Sequence, residues 1–169
     1  MNYLVIVLRL IHIFSGVLWV GGALAMNFFI GPTLGATGDA GKQFAGHLMA
    51  RTSFSMVMTV SAYATVIAGV WLFGIDSAWF SSPWLTSGAG RGFGIGAAFA
   101  LVGLITGIMN GNNNRKLGQL GAQIKGQPTS EQMATLGAIQ KQQGWVVPVN
   151  TYSLLIAVFF MAIARYLSF

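Results

Sequence analysis

The sequence predicts an all-α protein that folds as a four-helix transmembrane bundle. Of its 169 residues, 54% are hydrophobic and only 7% are charged, whereas a soluble domain carries about 25% charged residues. Four apolar segments each approach the length of about 20 residues that a membrane-spanning helix needs. The chain length fits one compact unit, so we expect residues 1–169 to form a single integral membrane domain.

The first and second spans are predicted from the two longest apolar runs in the amino-terminal half. The first runs from about Tyr3 to Ile30, and Gly31-Pro32 is expected to end its helix. The second runs from about Ser53 to Gly74. Phe44 and Leu48 precede it at helical spacing, so we expect the second helix to begin well before the membrane.

The third and fourth spans flank a polar segment. The third runs from about Phe93 to Met109 and is rich in glycine, and the fourth runs from about Val146 to Leu167. Between them, Thr129 or Ser130 is placed to cap a helix that has Glu131 and Gln132 in its first turn. We therefore expect a short cytoplasmic helix from about Ser130 to Gln142.

The positive charges predict an orientation. The loop between spans two and three carries only Arg91, whereas the two remaining loops carry six basic residues. Those six are Lys42, Arg51, Arg115, Lys116, Lys125 and Lys141. Because positive charge favours the cytoplasmic side, both termini are predicted outside (N-out/C-out). We expect a multi-pass protein of the bacterial inner (cytoplasmic) membrane, with the lipid bilayer as its surroundings.

Two features of composition restrict the chemistry. The chain has no cysteine, which excludes disulfides, thiolate metal sites and haem attached through a cysteine motif. The net charge is +6, but the basic residues are scattered around apolar segments and form no dense stripe. We therefore expect no nucleic-acid partner.

The first span carries an unusual polar face. Arg9, His12, Gly16, Trp19 and Ala23 follow at steps of three and four residues, so they share one side of a helix. A neutral imidazole is a good axial ligand for haem iron. Gly16 would clear space for a porphyrin, and Arg9 could pair with a propionate. An equally weighted hypothesis is a histidine that hydrogen-bonds a neighbouring helix.

Further metal ligands are weaker candidates. His47, the second histidine of the chain, precedes span two at a different membrane depth, so one chain is not expected to hold a single haem between both histidines. His47 is either a ligand of a second cofactor or a solvated interfacial residue. At the depth of His12, Met161 and Tyr63 are candidate ligands. An open sixth position and a ligand from a second subunit are equally compatible with the sequence.

The second span carries a polar stripe at spacing four. Arg51, Ser55, Thr59 and Tyr63 are expected to look into the bundle. We interpret Ser55 and Thr59 as interhelical hydrogen-bonding residues, worth about 1 kcal/mol or less per contact. Arg51 and Tyr63 remain candidates for contact with a cofactor.

Two further patterns concern packing and copper. Gly103, Gly107 and Gly111 form two overlapping GxxxG units, which predict close helix packing within the bundle or a homo-oligomer through helix three. The methionines raise a copper hypothesis, because thioethers suit Cu(I). Only Met56 and Met58 lie close in sequence and they point to different faces, so methionine as core filler is preferred.

Several stretches resemble known membrane proteins. Leu10-Ile11-His12-Ile13-Phe14, followed by Trp19-Val20-Gly21-Gly22, resembles the first helix of small bacterial four-helix membrane proteins. These include HemJ-type protoporphyrinogen oxidases and CopD-like copper-resistance proteins. Met49-Ala50-Arg51-Thr52 with Met58-Thr59 resembles the second helix of the HemJ type, and Pro148-Val149-Asn150 is a faint match to its fourth. The resemblance implies haem b binding at His12.

The sequence thus predicts a membrane haem b protein that transfers electrons, with a quinone or a redox protein as its partner. It could also be a membrane oxidoreductase, but no catalytic residue is identified. A protoporphyrinogen oxidase-like enzyme is the second hypothesis, although the lysine that family needs in helix three has no counterpart here. A copper or small-solute transport protein is the third hypothesis, and a cofactor-free packing subunit of a membrane complex is the fourth.

Overall fold

The computed structural model describes residues 3–124 and 126–168, and within these ranges all regular structure is helical. Four of the helical stretches are long and apolar enough to cross a membrane. The elements are α1 Tyr3–Ala25, a π turn Met26–Ile30, α2 Gly31–Ala36, α3 Gly38–Arg51, α4 Phe54–Asp76, α5 Ser82–Leu85, α6 Gly88–Gln123, α7 Ser130–Ile163 and a 3-10 turn Ala164–Tyr166.

The first span continues past the expected stop at Gly31-Pro32, so that prediction is wrong. Pro32 lies in the first turn of α2, where its missing N–H is tolerated. Just before it the helix widens into a π turn, in which the Gly31 N–H donates to Met26 O. The wider turn accommodates the proline ring, and the chain reverses only at Gly38, whose φ is +57°.

The predicted long second helix is two helices. Thr52 has an extended backbone, with φ −113° and ψ 167°, and separates α3 from α4. Its Oγ1 donates to Leu48 O and accepts from Phe54 N at 3.2 Å, which ends one helix and begins the next. Helix α3 is mostly exposed; its Lys42 ammonium donates to Asp39 Oδ1 at 2.8 Å and lowers the pKa of that carboxyl.

Helices α6 and α7 are longer than a membrane requires. They contain 36 and 34 residues, or about 54 and 51 Å, against about 30 Å for the hydrocarbon core. The predicted cap is confirmed at Thr129: Gln132 N donates to Thr129 Oγ1 at 3.2 Å, and Thr129 N donates to Gln132 Oε1 at 2.9 Å. The helix does not end at Gln142, however, but continues into the fourth span.

The bundle consists of two antiparallel helix pairs, α1 with α4 and α6 with α7. A small core of Trp19, Ala23, Ala62 and Leu154 joins the two pairs. The seam of the second pair follows steps of three, four and seven residues, as in a coiled coil. Its buried members include Gly92, Gly96, Gly103, Thr106 and Asn113 of α6, and Ile139, Val146, Asn150, Ser153 and Ala157 of α7.

Aromatic residues and an ion pair close the end of the bundle where α4, α6 and α7 meet. Trp84 packs edge-on against Phe73 at 5.2 Å between ring centroids. Arg165 Nη2 lies 3.9 Å from Asp76 Oδ2. In the loop between α4 and α5, three successive residues, Ala78 to Phe80, have positive φ. A hydrogen bond from Phe80 N to the buried Ser77 Oγ, at 2.9 Å, stabilises this conformation. This end contains the carboxyl termini of α4 and α7.

Candidate functional site

His12 lies on α1 and faces α4. Its Nδ1 is 2.8 Å from the main-chain oxygen of Thr65. The imidazole occupies space that a side chain at position 69 would fill, because a Cβ on Gly69 would lie 2.9 Å from His12 Cε1. A glycine on α4 thus lets the ring reach the backbone of the neighbouring helix.

This hydrogen bond fixes the tautomer of the imidazole. A carbonyl oxygen can only accept, so His12 Nδ1 carries the proton and Nε2 of the neutral ring keeps its lone pair. Within residues 3–124 and 126–168, Nε2 has no hydrogen-bond partner, and it is not sealed from the surface. Histidines that ligate metals almost always donate their second ring N–H to a carbonyl or carboxylate in this way.

Hydroxyl groups support the same contact one turn further along. Thr65 Oγ1 lies 2.8 Å from Ser15 Oγ and 2.7 Å from Ser61 O. Ser15 Oγ donates to Ile11 O on its own helix. These contacts hold α1 and α4 in register around His12, so the position of the imidazole is fixed from two sides.

The structure confirms that the polar face of α1 looks inward, but it changes the roles of two residues. A Cβ on Gly16 would lie 3.6 Å from Thr65 Cγ2, so Gly16 allows close packing of α1 on α4. Trp19 is 4% exposed and belongs to the core. Gly16 therefore clears no space for a porphyrin, and Trp19 is not open to contact one. Arg9 is partly exposed and makes no ion pair or hydrogen bond within the described residues.

The prediction that the polar stripe of span two looks into the bundle is wrong. Arg51 belongs to α3 and is exposed, Ser55 and Thr59 are exposed, and Tyr63 is 46% exposed. The inward face of α4 carries small residues, which let α1 approach closely. Those residues are Ser61, Ala62, Thr65 and Ala68.

The two weaker metal candidates are not brought to His12. His47 is exposed on α3, and Met161 packs in the second helix pair, where its Cε would lie 3.2 Å from a Cβ on Gly96. Within the described residues, no three His, Asp or Glu side chains gather as a metal-binding group. The candidate site is therefore His12 with its contacts on α4.

Two of the three glycines of the GxxxG units serve packing within the chain. A Cβ on Gly103 would lie 2.6 Å from Leu154 Cδ2, and one on Gly107 would lie 3.4 Å from Asn150 Nδ2. Gly111 has open space around it. The GxxxG pattern is thus used mainly between α6 and α7.

Sequence reasoning did not single out Thr65 and Gly69 as site residues. If the first two spans are antiparallel, counting residues along each helix places residues 63 to 65 at the membrane depth of His12. The sequence therefore predicts the depth of the contact. The contact itself uses a main-chain oxygen and a missing side chain, and neither has a sequence signature.

The four long apolar helices give the chain the architecture of a multi-pass membrane protein. Comparison of the chain with family models, with curated proteins and with solved structures finds no match.

Proposed function

We propose that this protein is a membrane haem b protein in which His12 Nε2 is an axial ligand of the iron, and that it transfers electrons. The observation that carries the proposal is the Nδ1 contact to Thr65 O, which makes Nδ1 the donor and leaves Nε2, among the described residues, without a partner. The resemblance of the first helix to that of HemJ-type proteins supports the same ligand.

Each residue of the site has a physical role in this proposal. The Thr65 carbonyl accepts a hydrogen bond from Nδ1–H, holds the plane of the ring and thereby directs Nε2. The hydroxyls of Ser15 and Thr65 keep α1 against α4. Arg9, one helical turn from His12 and without an ion pair in the described part of the chain, is available for a propionate.

Haem, when bound, supplies one-electron chemistry, and the protein sets its potential through the axial ligand and burial. Since Nε2 is not sealed from the surface and neither His47 nor Met161 is brought to His12, a second ligand would come from a second copy of the chain. A homo-oligomer is therefore part of the proposal.

We also propose the N-out/C-out orientation in a bacterial inner membrane. Lys42, Arg51, Arg115, Lys116 and Lys141 are exposed at the end of the bundle that carries α3 and the α6–α7 tip. Lys125 lies outside the described residues. The opposite end carries the exposed Arg91 and the Asp76–Arg165 pair. This charge difference favours the first end on the cytoplasmic side.

The test is a visible spectrum of the purified protein, expressed with haem supplementation, in the oxidised and dithionite-reduced states. His47→Ala is the matched control for His12→Ala, because His47 is exposed and lies on a different helix. We expect a Soret band that His12→Ala loses and His47→Ala keeps. A featureless spectrum of the supplemented native protein, or an unchanged band in His12→Ala, would overturn the proposal.

A further inference from the structure

Two helix irregularities meet at a small cavity far from His12. The π turn Met26–Ile30 of the first span lies beside Pro148, which is inside α7. The cavity has a volume of about 170 Å³ and is lined by Asn27, Phe28, Val147, Pro148, Thr151 and Tyr152. π turns occur frequently at functional sites, and irregular backbone at membrane depth is tolerated where it lines a cavity.

The cavity presents hydrogen-bond donors that the protein leaves unused. Thr151 Oγ1 donates to Val147 O at 2.9 Å, so it can only accept from Asn27, whose Nδ2 lies 2.7 Å away. That contact uses one of the two N–H groups of the Asn27 amide. The second N–H and the Tyr152 hydroxyl have no partner among residues 3–124 and 126–168.

The rest of the lining is apolar and open to the side. Phe28 is 50% exposed and Tyr152 is 62% exposed, so both stand at the mouth of the cavity on the outer face of the helices. No charged residue is among the lining residues. The volume is below the about 300–1,000 Å³ of a pocket that encloses a drug-sized ligand. The cavity therefore suits one uncharged ring whose remainder lies in lipid.

We propose that this cavity binds the headgroup of a membrane quinone. A quinone ring is flat, carries carbonyl acceptors and no donors, and bears an apolar tail, which matches two free donors at a largely apolar cavity that opens on the outer face of the helices. The carbonyl oxygens of the ring accept from Asn27 Nδ2 and from the Tyr152 hydroxyl, and Phe28 and Pro148 supply apolar surface for the ring. An anionic lipid headgroup does not fit, because the lining carries no cation.

The proposal is independent of the haem proposal. Asn27 follows His12 by 15 residues, about 22 Å along the helix axis, and the binding described here involves no electron transfer. His12→Ala is therefore expected to keep full quinone affinity, so the two proposals fail separately.

The test is binding of a short-tailed benzoquinone to the full chain in phosphatidylcholine nanodiscs, with an azido-quinone probe to locate the labelled peptide. We expect saturable binding and labelling of peptides that contain residues 27–28 or 147–152. Tyr152→Phe and Asn27→Ala should each weaken binding about tenfold, the effect of one lost hydrogen bond of about 1.4 kcal/mol.

Two control variants separate ligand contact from packing. Thr151→Val breaks the same interhelical hydrogen bond but keeps the Asn27 amide, and Tyr63→Phe removes an exposed tyrosine hydroxyl elsewhere. Both should change affinity less than twofold. Equal loss in Thr151→Val and Asn27→Ala would overturn the proposal in favour of a structural cavity. Competition by added phospholipid as strong as that by quinone would overturn it in favour of a lipid ester in the cavity.

Discussion

Replacing Gly69 by alanine tests the contact on which the His12 site depends. A Cβ at this position would lie 2.9 Å from His12 Cε1 and 3.1 Å from Nδ1, so the imidazole must move. Overpacking of this kind costs about 1–3 kcal/mol, and the lost bond to Thr65 O costs about 1 kcal/mol. Alanine returns about 0.5–1 kcal/mol of helix preference. We expect a net loss of about 1–3 kcal/mol in the free energy of unfolding.

The assay is equilibrium unfolding in mixed micelles of mild detergent and SDS, followed by circular dichroism. Gly21→Ala is the matched control, because Gly21 also lies in a membrane helix and nothing stands within 4 Å of the added Cβ. We expect Gly21→Ala to be as stable as the native protein or slightly more stable. If Gly69→Ala is no less stable than Gly21→Ala, the imidazole does not occupy the space above Gly69.

Three further predictions concern the α6–α7 pair, and the same unfolding assay checks each of them. Asn113→Leu should stabilise by about 1–2 kcal/mol, because the Asn113 Nδ2 is buried without a partner in the described structure; no gain over exposed Asn112→Leu would contradict this. Asn150→Leu should destabilise by about 1–2 kcal/mol, since Nδ2 donates to Gly103 O at 2.8 Å, and an unchanged midpoint would count against it. Thr129→Ala should cost about 1 kcal/mol through the lost cap, unless the first turn of α7 unfolds separately, which would leave the global midpoint in place.

The four spans were predictable because apolar length is a property of each segment alone. The start of α7 was predictable for the same reason: the capping pattern at Thr129 is local. The ends of the remaining helices depend on how nearby residues satisfy or interrupt the backbone hydrogen bonds. The π turn before Pro32 lets the first helix continue, and the Thr52 hydroxyl divides the second helix.

The inward faces were harder to predict than the helices. On α1 the predicted face is the buried one. Trp19, which is large and apolar, and Ala23, which is small, both lie on that side and are both buried. On α4 the spacing of polar residues pointed to Tyr63, yet the face that packs is chosen by the small residues around Thr65. Which face of a helix packs depends on how closely two helices can approach each other. The sequence of one helix alone does not contain that information.

The α6–α7 hairpin has a mechanical consequence. α6 runs without interruption through the apolar segment and about 20 Å beyond it, and α7 returns beside it to the buried amide of Asn150. Gln143 Nε2 donates to Asn114 Oδ1 at 2.9 Å, so the two arms are also tied near the membrane surface. The two helices of the hairpin are therefore joined at Gln143 and Asn114, and the part beyond that contact moves as one unit. We therefore expect a load on the tip near Gly126 to tilt both arms together and to strain the Asn150–Gly103 contact in the apolar part of the helix pair.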